Sequence, residues 1–178
     1  MKPRGQLMIE HRLIEKMIEI IKKKSAKIKG KRDINPAFID TAVDFIRVYA
    51  DKTHHGKEED ILFRDCAKKN MSETDTKIMN ELIEEHKFGR KTVSELVKAK
   101  ENYIKGEDTS KIISEKLDIL VEFYPRHIKK EDNIFFPESE KYFSAEELQA
   151  MLKEFWEFDR VMIHEKYKIV VEQLKKEG

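Results

Sequence analysis

Residues 54–63, HHGKEEDILF, align without a gap on residues 127–136, HIKKEDNIFF. Both stretches place a glutamate four residues after a histidine: His54 precedes Glu58, and His127 precedes Glu131. They also share a lysine, a second acid, an isoleucine and a phenylalanine at equivalent positions. Self-similarity of this kind indicates a repeated structural unit. The sequence therefore predicts two similar halves, each containing one His-x-x-x-Glu segment.

A lone histidine precedes each of these segments. Residues 9–13, IEHRL, parallel residues 84–88, EEHKF. His11 lies 43 residues before His54, and His86 lies 41 residues before His127. Because the two intervals are nearly equal, we expect the repeat to extend over two helices in each half and to bring the two sets of side chains together about a pseudo-twofold axis.

Glycine and proline positions predict an all-α chain. Only 6 Gly and 4 Pro interrupt 178 residues, and they fall between segments of helical periodicity. We expect helices over about residues 7–29, 36–69, 73–105, 109–136 and 144–176, with capping signals at Asn35, Ser72 and Ser144. The predicted architecture is a single domain over residues 1–178, with a core bundle over about 7–137 and an additional C-terminal fifth helix covering it.

Four of the five predicted helices place a histidine in the apolar stripe that should face the core. In the fourth helix the stripe advances by three and four residues, through Ile113, Leu117, Leu120, Tyr124, His127, Glu131 and Ile134. In the second helix it contains Ile39, Val43, Ile46, Ala50, His54, Glu58 and Ile61. The fifth helix has a wide apolar face that we expect to cover the bundle, formed by Leu148, Leu152, Phe155, Trp156, Ile163, Tyr167, Val170 and Leu174.

Buried imidazoles and carboxylates without partners would cost several kcal/mol, so this arrangement requires compensation. A shared metal site would supply it. Four histidines and two glutamates form a nitrogen and oxygen donor set suited to iron or manganese, with zinc as an alternative. The candidate ligands are His11, His54, Glu58, His86, His127 and Glu131. The competing interpretation is a helical interaction protein with satisfied core histidines, which would bind no stoichiometric metal.

Composition excludes several other classes of function. The formal net charge of +1 gives no basic surplus for nucleic acid, and no apolar run approaches the length of a membrane span. The apolar run near the N-terminus is too short for a secretory signal, so we expect a cytoplasmic protein. Cys66 is the only cysteine, which leaves neither an intrachain disulfide nor a cysteine metal cluster. The oligomeric state stays open.

The pattern of a lone His, then His-x-x-x-Glu, repeated once, resembles the hemerythrin-like HHE cation-binding family over about residues 7–137. The resemblance implies an up-down four-helix bundle around a non-haem di-iron centre. Glu58 and Glu131 would bridge both irons, and the terminal ligands would be His11, His54, His86 and His127. Oxygen-carrying hemerythrins have a further histidine on the third helix, four residues from the first, where this chain has Leu82 and Arg90. A simple oxygen carrier is therefore not the expected function.

The resemblance implies two iron ions and a partner that is a small diatomic ligand or peroxide. We expect a protein that binds or senses dioxygen, nitric oxide or peroxide at an open iron position. The alternatives are an oxidoreductase acting on peroxide or nitric oxide and an iron donor in the repair of iron centres. Three further residues have open roles. His55 is expected at the surface or behind the ligands, and His164 is a candidate cap of the site. Tyr124 is either a core tyrosine with a local hydrogen-bond partner or a donor to the small ligand.

Overall fold

Five long helices form the protein in a computed structural model that describes residues 2–31 and 34–177. Helix α1 spans Pro3–Lys31, and α2 covers residues 36–66. Helix α3 spans Glu73–Ile104, α4 covers residues 110–139 and is followed by a short 3₁₀ turn over Glu140–Tyr142, and α5 spans Ala145–Glu177. The described residues contain no strand. The predicted all-α helical bundle is confirmed.

Helices α2 and α4 are not α-helical throughout. In α2, α-helical Pro36–Phe45 is followed by π-helical turns over Ile46–His55 and Glu58–Phe63, and α-helical Arg64–Cys66 ends the helix. In α4, α-helical Ser110–Lys130 continues as π-helical Glu131–Phe135 and α-helical Phe136–Ser139. Each of the two repeated segments thus has a π turn that begins at its glutamate. Such turns are rare and occur frequently at functional sites.

Three predicted helix starts are confirmed by their capping contacts, whereas α1 begins at Pro3 and not near residue 7. Asn35 accepts a hydrogen bond from the Phe38 amide at 3.2 Å, and the Ser72 hydroxyl accepts one from the Asp75 amide at 3.1 Å. Ser144 and Glu147 form a reciprocal capping box, with distances of 2.8 and 3.2 Å. The predicted end of α4 near residue 136 is wrong, since helical structure continues to Ser139.

The bundle is held by two apolar clusters, one on either side of a polar layer. One cluster contains Ile14, Ile18, Leu96, Leu117 and Leu120, among others. The other includes Leu7, Leu82, Phe135, Phe136 and Phe155. Helix α4 packs against both α1 and α3. Because apolar residues close the layer at both ends, its polar groups lie in a dry interior, where electrostatic interactions are strong.

Two predictions about buried positions are wrong. Ile134, expected in the core stripe of α4, is 46% exposed, because the π turn that begins at Glu131 shifts the register and Phe135 and Phe136 take the buried positions. On α5, Trp156 and Ile163 are 56% and 60% exposed.

The apolar stripe of α5 is narrower than predicted. Leu148, Met151, Leu152 and Phe155 are buried, but farther along the helix the surface toward the bundle contains charged Asp159. His164 is exposed, so it does not cap the polar layer. The side chains of Tyr167, Val170 and Leu174 lie outside the described residues. Within the described ranges, no helix is long and apolar enough to cross a membrane.

Candidate metal centre

The structure brings the six predicted ligand residues together in the polar layer. All six side chains are between 0% and 2% exposed: His11, His54, Glu58, His86, His127 and Glu131. They come from four helices, α1 to α4, whose apolar stripes face one another. The lone histidines lie on α1 and α3, and the His-x-x-x-Glu pairs lie on α2 and α4. The arrangement follows the repeat that the sequence predicts.

One group of four ligand atoms lies between α1, α2 and α4. We call the group formed by His11, His54, Glu58 and Glu131 site 1; one ligand atom from each residue lies within 4.8 Å of the other three. The Nε2 atoms of His11 and His54 are 2.8 Å apart. Two ligands at right angles on an ion, each bonded at about 2.1 Å, would be about 3 Å apart. The spacing therefore suits two imidazoles on one metal ion.

A second group lies between α2, α3 and α4. We call the group formed by His55, His86 and His127 site 2; one ring nitrogen of each again lies within 4.8 Å of the other two. The Nε2 atom of His127 is 3.2 Å from Oε1 of Glu131, and that of His86 is 3.7 Å from the same oxygen.

Both glutamates face both sites. Glu58 directs Oε1 toward His54, at 3.3 Å, and Oε2 toward His86, at 3.4 Å. Glu131 directs Oε2 toward His11, at 3.2 Å, and Oε1 toward His127. Each carboxylate thus offers one oxygen to each site. This is the arrangement of a pair of carboxylates that bridges two neighbouring ions.

The polar atoms of the layer are short of hydrogen-bond partners. In the described part of the chain, neither carboxylate oxygen of Glu58 or of Glu131 has one, and neither does Nε2 of His86 or of His127. Leaving such groups unpaired in a dry interior costs about 1 to 3 kcal/mol each, and more for charges. Divalent cations would compensate two buried anions surrounded by imidazoles. The donor set therefore fits two metal ions.

Every predicted histidine ligand makes a hydrogen bond to a carboxylate through its outward-facing nitrogen. Nδ1 of His54 donates to Glu10 at 2.8 Å, and Nδ1 of His127 donates to Glu85 at 2.8 Å. The equivalent bonds of the lone histidines are His11 to Asp132 at 2.7 Å and His86 to Glu59 at 2.6 Å. A proton on Nδ1 leaves the lone pair on Nε2, which faces the sites. Such partners fix the ring and strengthen it as a ligand.

These four carboxylates are in turn paired with basic side chains. Glu10 pairs with Lys57 and Glu85 with Lys130; Lys57 and Lys130 occupy equivalent positions of the repeat. Asp132 pairs with Arg12, and Glu59 pairs with Arg90 at 2.6 Å. Lys57 is 0% exposed and also reaches Asp159 of α5, at 2.6 Å. Each candidate ligand imidazole therefore has a carboxylate behind it, and a basic side chain is paired with that carboxylate.

The repeat marks part of this outer layer. Glu59 and Asp132, which follow the two ligand glutamates, are acids that the repeat already makes equivalent. Glu10 and Glu85 were missed, although each directly precedes a lone histidine at equivalent positions. The repeat was the signal that would have identified them.

Electrostatics within the layer favour the charged forms of His54, His86 and Glu131. Burial lowers the pKa of His54, but the carboxylates of Glu58 and Glu10 outweigh it and raise that pKa to about 10. Burial also lowers the pKa of His86, but the carboxylates of Glu131, Glu59 and Glu58 outweigh it and raise that pKa to about 9. For Glu131, burial favours the neutral acid, but His127, His11 and His86 hold its pKa well below the usual range.

His55 differs from the sequence-based expectation. An α-helical turn would rotate it about 100° from His54, toward the surface. Instead it is 2% exposed and stacks on the ring of His86, with centroids 3.9 Å apart. The wider π turn over Ile46–His55 rotates successive residues through a smaller angle, which brings both histidines into the layer. Burial and the neighbouring imidazoles hold the pKa of His55 well below its ordinary value.

A cavity of about 70 Å³ lies beside site 2, lined in part by His55, His86, Gly89 and Tyr124. A water molecule occupies about 30 Å³ in the liquid, so the space suits one or two very small molecules. Gly89 also allows the ring of Phe123 to pack closely, because a Cβ at this position would lie 3.3 Å from that ring. Burial raises the pKa of Tyr124, which therefore keeps its hydroxyl proton.

Comparison with protein families agrees with this geometry. The family model for the hemerythrin HHE cation-binding domain matches residues 3–139, which contain every residue of sites 1 and 2. The chain belongs to this family. The match to the hemerythrin HHE domain covers α1 to α4 and leaves α5 outside it. No curated protein and no solved structure gave a significant match.

Membership of the hemerythrin HHE family supports a cation-binding role for the polar layer. The family match alone does not assign individual ligands. The assignment of the six residues, and of iron, rests on the chemistry of this chain's own side chains.

Proposed function

We propose that this hemerythrin HHE domain holds two iron ions, one in each site, and binds a small ligand at an open coordination position. The ligand would be dioxygen, nitric oxide or peroxide. The observation that carries the proposal is the orientation of Glu58 and Glu131, each of which offers one oxygen to both sites. Two bridging carboxylates and four terminal imidazoles leave an octahedral pair of ions incompletely coordinated.

Ferrous iron, when bound, supplies a position at which these small molecules can coordinate. The chain's own residues select by size, because a cavity of about 70 Å³ is far below the roughly 300 Å³ or more typical of pockets for organic ligands. Tyr124 is among the residues that line this cavity, and its raised pKa keeps its hydroxyl protonated. The cavity therefore favours a diatomic molecule or peroxide over an organic substrate.

Elemental analysis of the purified protein tests the first part of the proposal, and we expect about two irons per chain, one for each site. Manganese or zinc at the same stoichiometry would support the two sites but would assign that metal, and not iron, as the physiological one. Absence of stoichiometric metal after gentle purification would overturn the proposal in favour of a helical interaction protein.

Anaerobic loading with ferrous iron, followed by stopped-flow mixing with each candidate ligand, tests the second part. A stable complex at a fixed ratio of ligand to protein is expected of a binding or sensing protein. Multiple-turnover consumption of peroxide or nitric oxide would favour the oxidoreductase instead. Transfer of iron to an apo acceptor, without a stable ligand complex, would favour the iron donor.

A further inference from the structure

His55 is the buried histidine that the His-x-x-x-Glu pattern leaves without a role. Of the six histidines in the chain, four are the candidate ligands of the repeat and His164 is exposed. The repeat itself does not account for His55, because its equivalent in the other half is Ile128. The two halves therefore differ at this position, within the polar layer.

The ring of His55 is almost inaccessible to solvent and lacks hydrogen-bond partners. It is 2% exposed, and within the described part of the chain neither Nδ1 nor Nε2 has a partner. The carboxylate of Asp51 comes no closer than 3.5 Å to Nδ1, which is too long for a good hydrogen bond. A neutral imidazole has one donor and one acceptor, and leaving both unused in the interior is costly.

The ring of His55 lies beside two candidate ligand histidines, His86 and His127. It lies parallel to His86, with an interplanar angle of 9°, and its centroid is 5.5 Å from that of His127. One ring nitrogen of each of the three lies within 4.8 Å of the others. An ion bonded at about 2.1 Å to three nitrogens holds them about 3 to 4.2 Å apart. Parallel stacked rings cannot direct two lone pairs at one ion, so His55 has to rotate out of the stack with His86 for its lone pair to reach the same ion.

We propose that His55 is a ligand of the metal ion in site 2, which then has three imidazoles against two in site 1. The inference rests on the proposed function, because it requires metal in both sites. With one oxygen from each of Glu58 and Glu131, site 2 has five donor atoms from the protein. A six-coordinate ion keeps a single open position there, and the cavity that His55 and His86 line is the space for the small ligand.

The test compares His55→Phe with the wild type. Phenylalanine keeps a flat ring against His86 but has no donor nitrogen. The matched control is His164→Phe, which makes the same substitution at an exposed histidine. Anaerobic titration with Co²⁺, in competition with a chelator, counts the ions and their affinities, and X-ray absorption counts imidazoles per ion.

For the wild type and for His164→Phe we expect two ions and five imidazoles per pair of ions. For His55→Phe we expect the second ion to bind at least about tenfold more weakly, by comparison with losses at supporting residues of metal sites. At saturation, its pair of ions should have four imidazoles. Should His55→Phe misfold by circular dichroism, His55→Ala replaces it, and free imidazole is expected to restore the second ion.

Three results would overturn the assignment. Wild-type affinity for two ions and an unchanged imidazole count in His55→Phe would remove His55 from the ligand set while leaving the di-metal proposal intact. Unchanged metal binding with a weakened complex of nitric oxide would make His55 a partner of the small ligand. Failure of the wild type itself to bind two ions would overturn the proposed function, and the assignment of His55 with it.

Discussion

Glu85 accepts a hydrogen bond from Nδ1 of His127 at 2.8 Å, and its other carboxylate oxygen pairs with Lys130. Glu84, the preceding residue, is exposed, and among the described residues its ion pair is with Lys87 on the same helix turn. Two adjacent glutamates of α3 thus have different environments, one behind a candidate ligand and one at the surface. The pair provides a matched test of the outer layer.

Glu85→Gln removes the negative charge behind His127 and is expected to weaken metal binding about 10- to 100-fold, because such partners orient the imidazole and raise its basicity. Glu84→Gln makes the same chemical change and should leave the affinity unaltered. Competitive Co²⁺ titration measures both. Equal affinities of the two variants would show that the carboxylate at position 85 does not support the ligand.

His127→Ala and Glu131→Ala are expected to lose most of the bound metal. A ligand that binds only the folded state stabilises it by about 2.7 kcal/mol when its free concentration is 100 times the dissociation constant. Metal should therefore raise the unfolding free energy of the wild type by at least about that amount. For the two variants, the increase in unfolding free energy should be far smaller. Metal analysis together with urea unfolding checks this. Full metal content in both variants would contradict the ligand assignment.

Lys57 and Lys130 occupy equivalent positions of the repeat but differ in burial. Lys57 is 0% exposed between Glu10 and Asp159, whereas the side chain of Lys130 is 26% exposed. Lys57→Ala leaves two carboxylates without their buried cation and should cost about 3 to 5 kcal/mol of unfolding free energy. Lys130→Ala should cost about 1 kcal/mol or less. Urea unfolding in chelator measures both, and equal losses would contradict the role assigned to burial.

The stability of the chelator-treated protein should depend on pH through His54 and His86. Their pKa values in the fold, about 10 and about 9, exceed the ordinary value of 6.5. Their contribution is therefore fully present below about pH 6.5 and is lost as the pH rises through 9 to 10. We expect the unfolding free energy to fall over this window, and His54→Gln to remove part of the fall. Thermal unfolding at pH 6.5 and pH 10 provides the measurement.

Metal should reverse this trend, because ions replace the protons on the same imidazoles. Metal affinity is expected to rise with pH over the same window, with protons released on binding. A wild-type protein in chelator whose stability is flat between pH 6.5 and pH 10 would contradict the protonation of His54 and His86 in the fold.

The sequence predicts the bundle because its signals are local. Capping at Asn35, Ser72 and Ser144 depends on side chains within three residues. The core stripe of α4 from Ile113 to His127 follows from the helical period alone. The six candidate ligands are also predictable, since a duplication places them at equivalent positions. Their convergence requires only that four amphipathic helices bury the same faces.

The failures have a common physical origin in departures from the α-helical period. The π turns at the repeated segments shift the register by a fraction of a turn, which exposes Ile134 and buries His55. Nothing in the residue pattern marks where a helix widens. Likewise, which residues of α5 face the bundle depends on how that helix crosses the others, so the exposure of Trp156 could not be derived from spacing.

The ion pair between Lys57 and Asp159 links the family-matched segment to a helix that lies outside it. Through Lys57 and Glu10, α5 is connected to the ring of His54 by an unbroken series of polar contacts. A shortened chain ending at residue 139 would keep every candidate ligand yet open a buried ammonium group to water. The segment that matches the family model is thus shorter than the segment expected to keep the polar layer intact. A recombinant protein should therefore include the last helix.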